Sequence, residues 1–335
     1  MDLNILWFIL VTVLFSGFFI LEGFDFGVGS LLPFVSKTDN EKRVIYNSIG
    51  PHWDGNEVWL LTAGGAIFAA FPHWYATLFS GFYLALFAIL LALIGRGIAI
   101  EFRSKMPSPA WRKTWDVIFF LGSVLPGVLF GVAVSNFITG VPIDADMEYA
   151  GTFFTLLTPF TLLGGVMLAL VFAYHGSLFL SLKSGVPAVS KRVDSLRPKL
   201  GAVTIIVAVA WLVYAFFASV LFQSVISVIA VVIAAAMLVI SYLLQFKQKF
   251  GLAFVASSLA ILGVTVAVFA SMFPNVMIST ISEAYNLTIY TASSTPYTLK
   301  IMSIVAGIFV PIVLLYQAWS YWTFRKRITE KELHY

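Results

Sequence analysis

Cysteine is absent from all 335 residues. That excludes disulfides, thiolate metal sites, iron–sulfur clusters and covalent haem attachment. Charge is scarce as well: charged residues make up 11% of the chain against 60% hydrophobic, with a mean hydropathy of +0.95. A soluble fold this poor in charge would have little to offer water. There are 4 histidines. None pairs with another at i+3 or i+4, so no metal motif lies within one helix. The N-terminal MDLN lacks a basic region, and no small-residue cleavage site follows the first apolar run. No cleaved signal peptide is expected. No soluble domain is expected either, the longest stretch outside the apolar runs being 273–297.

What the chain does have is a series of uncharged runs near 20 residues, enough to cross the ~30 Å hydrocarbon core at 1.5 Å per helical residue. The expected fold class is therefore an all-α polytopic membrane protein. Nine spans are expected, at about 5–34, 52–71, 75–95, 115–138, 152–181, 201–219, 224–245, 251–273 and 298–322. Pro72 marks the break between the second and third.

The basic residues sort by loop. Lys37, Lys42 and Arg43 follow span one. Arg96, Arg103, Lys105, Arg112 and Lys113 follow span three, and Lys183, Lys191, Arg192, Arg197 and Lys199 follow span five. Lys247 and Lys249 follow span seven, and Arg325, Lys326, Arg327 and Lys331 form the tail. Only Lys300 falls on the other side, where Asp144, Asp146, Glu148 and Glu283 lie. The positive-inside rule then puts the N-terminus outside and the C-terminus in the cytoplasm. The net charge of +4 reflects this topology and contact with anionic lipid, with no sign of nucleic-acid binding.

The candidate functional residues are acids within or at the edge of the membrane. Glu22 and Asp25 stand three apart on one face of span one, about 26–30 Å down the helix from Ile5. Span two opens PHWDGNEVWLL, which sets His52, Asp54 and Glu57 at similar depth. A charge at mid-membrane costs ~2.5–3.5 kcal/mol on insertion scales, so such residues line proton or ion pathways or pair with one another. The plainer alternative is snorkelling at the interface, or for Asp54 service at a helix N-terminus. His73 reads as an interfacial residue beside Trp74 and Tyr75, and His334 lies in the tail. His52 and His175 are the histidines placed where a haem could be met. Gly23/Gly27 and Gly127/Gly131 form GxxxG pairs, and Gly64-Gly65 and Gly164-Gly165 suit close helix contact.

At GFDFGVG (23–29), and above all at NSIGPHWDGNEVWLLTAGGAIFAAFP (47–72), the chain resembles subunit II of the cytochrome bd-type quinol oxidases. FSGFYLAL (79–86), WRKTWD (111–116), TASS (291–294) and VPIVLLYQAWSYW (310–322) extend the resemblance over the whole length. It implies two four-helix bundles (about 1–138 and 152–273), a peripheral helix (about 298–322) and a cytoplasmic tail (323–335). It implies a bacterial cytoplasmic membrane and a partner, subunit I, that carries the quinol site and ligates two b-type haems and haem d. Small accessory subunits and a structural quinone in this subunit are compatible with it. The implied reaction is oxidation of quinol and reduction of dioxygen to water, electrogenic but without pumping. The consumed protons come from the cytoplasm. The resemblance makes Asp54 the foremost proton-path residue, with Asp25, Glu22 and Glu57 beside it. Relatives often carry Gln where this chain has Glu57, which leaves open whether one acid or two carry protons. A secondary transporter or ion-conducting protein is the competing class. Its acids would lie at the midplane on broken helices within repeats, and no second half here repeats the GFD or HWDGN pattern.

Overall fold

The computed structural model describes residues 2–330 and 333. Eleven helices account for most of them: α1 (Leu3–Val35), α2 (Asp39–Ile49), α3 (Trp53–Ala70), α4 (Pro72–Gly81), α5 (Tyr83–Phe102), α6 (Pro109–Thr139), α7 (Pro159–Lys183), α8 (Pro187–Ala218), α9 (Val225–Phe246), α10 (Phe250–Met272) and α11 (Pro296–Thr323). Eight are long and apolar enough to cross a membrane: α1 and α5 to α11. The 18 residues of α3 fall short because Asp54, Asn56 and Glu57 occupy its first turns.

The helix starts are written in the sequence. Pro opens α4, α6, α7, α8 and α11, where its missing N–H costs nothing. Ser108, Thr158 and Thr295 cap three of these through their hydroxyls. Asp2 caps α1 by accepting from the Asn4 N–H at 2.8 Å.

Three expectations need correction. The third span is a bent pair: α4 ends at Gly81, the chain turns at Phe82, and α5 runs on to Phe102, past the expected end near 95. The loop expected after span one holds a helix, α2, whose Thr38–Glu41 capping box closes its first turn. The sixth span begins 14 residues early, because α8 carries its polar segment 187–200 as continuous helix below the apolar run. In each case polar sequence that a hydropathy window discards is helical because tertiary contacts hold it.

The helix α1 is the hub, packing against α3, α6, α7 and α10. Two crossings depend on glycine. A Cβ on Gly27 would strike the Phe172 carbonyl and the Gly176 backbone of α7, and one on Gly131 would strike Gly164 and Gly165. Backbones approach this closely only where the residue facing the crossing has no side chain. Gly64 and Gly65 make no such crossing within the chain. On the side opposite the basic loops, β1 (Asn275–Met277) and β2 (Leu287–Thr288) pair antiparallel and close the 273–297 stretch. The last helix, α11, lies at the periphery against α1 and α3, with most of its surface exposed.

Candidate functional site

At the basic end of α1, Glu22 and Asp25 are both fully buried. Glu57 of α3 and Arg96 of α5 meet them there. The Arg96 Nη2 donates to Glu57 Oε1 at 2.6 Å and also contacts Glu22 Oε1. The guanidinium carbon lies 4.7 Å above the Phe26 ring, which covers its flat face. Arg96 itself has no exposed surface. It is therefore a cation inside the helix bundle and not the loop residue its position after span three suggested. The sequence held one signal for it: Arg96 is flanked by LALIG and GIAI, apolar on both sides. An acid pair so far inside an apolar run calls for a cation at the same depth.

Asp25 has a different partner. The Asn56 amide donates to Asp25 Oδ2 at 2.7 Å, while Asp25 Oδ1 is buried with no hydrogen-bond partner among the described residues. Asn56 in turn accepts from the Tyr321 hydroxyl of α11 at 2.8 Å and from the Gln317 amide at 3.4 Å. The Trp59 indole N–H donates to Gln317 Oε1 at 2.9 Å. The peripheral helix thus closes the cluster from outside, a role the sequence did not reveal.

The four expected site residues divide. Glu22, Asp25 and Glu57 come together. Asp54 does not join them: it sits on the exposed face of α3 with Gly55 and Val58, and it makes no hydrogen bond to the cluster among the described residues. Helical geometry explains the separation. Asn56 is the buried residue of this turn and Asp54 lies about 200° around α3 from it, so pointing Asn56 inward turns Asp54 outward, with Glu57 at the edge of the buried face.

The surroundings of the histidines bear on haem ligation. His175 is fully buried and both ring nitrogens are engaged: Nδ1 with the Ser257 hydroxyl at 2.6 Å and Nε2 with the Ile20 carbonyl at 3.1 Å. His52 lies flat against Tyr321 at 4.3 Å with Phe324 at its edge. His73 stands exposed at the opposite end, and His334 lies outside the described residues. Two apolar cavities lie among the helices, and no histidine lines either. The His52 Nδ1 is buried without a hydrogen-bond partner among the described residues, but neither cavity offers a haem a histidine ligand. Among the described residues no cluster of His, Asp or Glu suits a metal ion.

Comparison with known proteins decides the family. The family described as cytochrome bd terminal oxidase subunit II matches residues 3–324. The chain belongs to that family. It is 41% identical over 334 residues to the cytochrome bd ubiquinol oxidase subunit 2 of Bacillus subtilis, covering 99% of this chain and 98% of that one. It is 37% identical over 366 residues to the cytochrome bd-I ubiquinol oxidase subunit 2 of Escherichia coli, covering 99% and 96%. The fold also matches a chain of the bd oxidase from Geobacillus thermodenitrificans, with a TM-score of 0.76 at 18% identity, over 97% of this chain and all of that one. Membership of this bd-oxidase family makes the protein one subunit of a membrane-bound cytochrome oxidase and removes the transporter reading.

Proposed function

We propose that this chain is the haem-free subunit of a complex that oxidises quinol and reduces dioxygen to water, and that its basic end feeds protons to that reaction. The observation that supports this is the buried cluster of Glu22, Asp25, Glu57 and Arg96. One guanidinium neutralises one carboxylate, and three carboxyls are present. Buried charge without a partner costs several kcal/mol, so protons are the remaining neutralising species. A group of acids that holds protons inside a membrane, close to the face where they enter, is equipped to store and pass them.

On this reading the basic face is cytoplasmic and the N-terminus lies outside. The partner, subunit I, would bring two b-type haems and haem d, as the family resemblance implies, while in this chain His175 has both ring nitrogens engaged and His52 lies stacked on Tyr321. Asp54 stands on the uncovered face of α3, where a Cβ on Gly55 or Gly65 would meet nothing. That face suits the partner, and Asp54 would pass protons across it. One candidate place for a structural quinone is a crevice of about 120 Å³ bordered by Phe19, Met167, Leu212, Val231 and Phe269. Its Trp211 and Thr265 donors are already used on Ser135 and Ile261, so the crevice suits an isoprenoid tail better than a quinone ring. We also read 1–138 and 152–273 as two bundles. The α5–α6 pair lies within the first, the α7–α8 and α9–α10 pairs within the second, and α1 joins them.

The test is Asp25→Asn in the purified complex, scored as quinol-driven oxygen uptake per haem. Uptake several-fold below wild type with normal haem content is expected. Unchanged uptake would remove the cluster from the proton route.

A further inference from the structure

The polar chain that runs from α11 to Asp25 has a direction that its donors dictate. An indole N–H can only donate. Trp59 therefore fixes Gln317 with Oε1 toward the indole and Nε2 toward Asn56, where it donates to Oδ1 at 3.4 Å. Tyr321 donates to the same Oδ1 at 2.8 Å, and its ring is held in place by the His52 stack at 4.3 Å. With Oδ1 occupied by two donors, the Asn56 Nδ2 has to face the other way, where it meets Asp25 Oδ2 at 2.7 Å and the Leu21 carbonyl at 3.4 Å. Reversing the Asn56 amide would set two N–H groups of Gln317 and Asn56 against each other, and an oxygen against Asp25.

We propose that α11 acts as a positioning helix: Tyr321 and Gln317 fix the Asn56 amide so that Asp25 accepts on Oδ2 and binds its proton on the unpartnered Oδ1. This rests on the proton-holding role proposed for the cluster, and it assigns the atom. The rest of the surroundings agree. Glu22 and Glu57 both lie on the guanidinium of Arg96, so neither donates to Asp25. His175, across on α7, is closed by Ser257 and Ile20. His52 meets the network through Tyr321, ring face to ring face. Both Tyr321 and Gln317 hydrogen-bond Asn56, which in turn bonds Asp25, so both are positioning residues. Their position near the basic end of α11 means that a helix at the edge of the subunit sets the protonation geometry at its centre.

Infrared difference spectroscopy of the reduced and oxidised whole complex tests this. A protonated Asp25 gives a carbonyl band that Asp25→Asn removes. In the proposed geometry that carbonyl is Oδ2, hydrogen-bonded by Asn56. The double variant Tyr321→Phe/Gln317→Leu frees the Asn56 amide, so the band is expected at higher wavenumber, as it is in Asn56→Ala, which leaves α11 untouched. Tyr321→Phe alone keeps the ring stack on His52 and serves if the double variant does not assemble; a smaller upward shift is expected. A band that stays in place in these variants, or no band lost in Asp25→Asn, would overturn the assignment. The proton-path reading is judged separately by oxygen uptake. A shifted band with unimpaired uptake in Asp25→Asn would keep the positioning role and overturn the path.

Discussion

Arg96 is the residue on which the cluster's stability depends. A fully buried cation shared by Glu22 and Glu57 is neutralised only by them, and truncating it strands carboxyls in the bundle. Removing one partner of a buried pair typically costs about 3–5 kcal/mol. Arg96→Gln is therefore expected to lower the yield of assembled complex sharply, as judged by native gel and haem content; near-normal yield would mean the pair is dispensable. Glu57→Gln, expected to be mild if Gln serves in relatives, retains one hydrogen-bond acceptor for Arg96. The acids were visible in the sequence because charge in an apolar run stands out. Arg96 was not, because counting loop charges assumes that a basic residue near a span end lies outside it. The orientation of Asp54 was not legible for a different reason. Depth along a helix is legible, but which way a residue turns depends on which face packs.

At the level of elements, α2 is docked by ion pairs the hydropathy profile cannot show. Arg103 bonds Asp116 at 2.6 Å and Asp39 at 2.8 Å, Lys42 bonds Asp116 at 2.8 Å, and Arg192 forks onto Glu41 at 2.8 and 3.1 Å. The Arg192 hydrogen bonds hold the Glu41 carboxyl down at about 2, against an ordinary 4.5. A carboxyl lowered in the folded state stabilises it fully above its ordinary value, and that contribution is lost as pH falls through the lowered one. The melting temperature of the purified complex is thus expected to fall between pH 4.5 and about 2, and that part of the fall is expected to shrink in Arg192→Gln, where the folded carboxyl returns toward its ordinary value. An identical acid profile in that variant would deny the link.

The tail is held similarly. The Lys183 ammonium, at the end of α7, donates to the carbonyls of Phe324 and Lys326, and the Ile328 N–H donates to the Lys183 carbonyl at 2.8 Å. Lysine favours a helix C-terminus for this reason. Lys183→Met is expected to make the 324–330 segment cleavable by protease in the folded complex; continued protection would contradict this. In the sequence Lys183 read as one of the basic residues after span five, since a lysine that caps another helix has no local signature. The spans themselves were legible, because a membrane demands length and apolarity from every helix that crosses it.

For the whole molecule, the cysteine-free sequence makes orientation simple to test. A cysteine placed at 146, in the acidic loop, is expected to react with an impermeant reagent on intact cells; labelling only after permeabilisation would invert the topology. The outward face of α3, with Asp54, Gly55, Val58, Leu61 and Phe68 exposed, and the apolar face of α5 with Phe87, Leu90 and Leu91 are left for lipid or a partner subunit. On the proposed function, protons reach the oxygen chemistry through this subunit, with Asp54 passing them across the α3 face. Asparagine keeps the shape of Asp54 and removes the exchangeable carboxyl proton. The most direct measurement is quinol-driven oxygen uptake per haem in purified Asp54→Asn complex. A slowing well over tenfold, above about 1.4 kcal/mol of barrier, with haem content near normal is expected; uptake close to wild type would contradict the proton role.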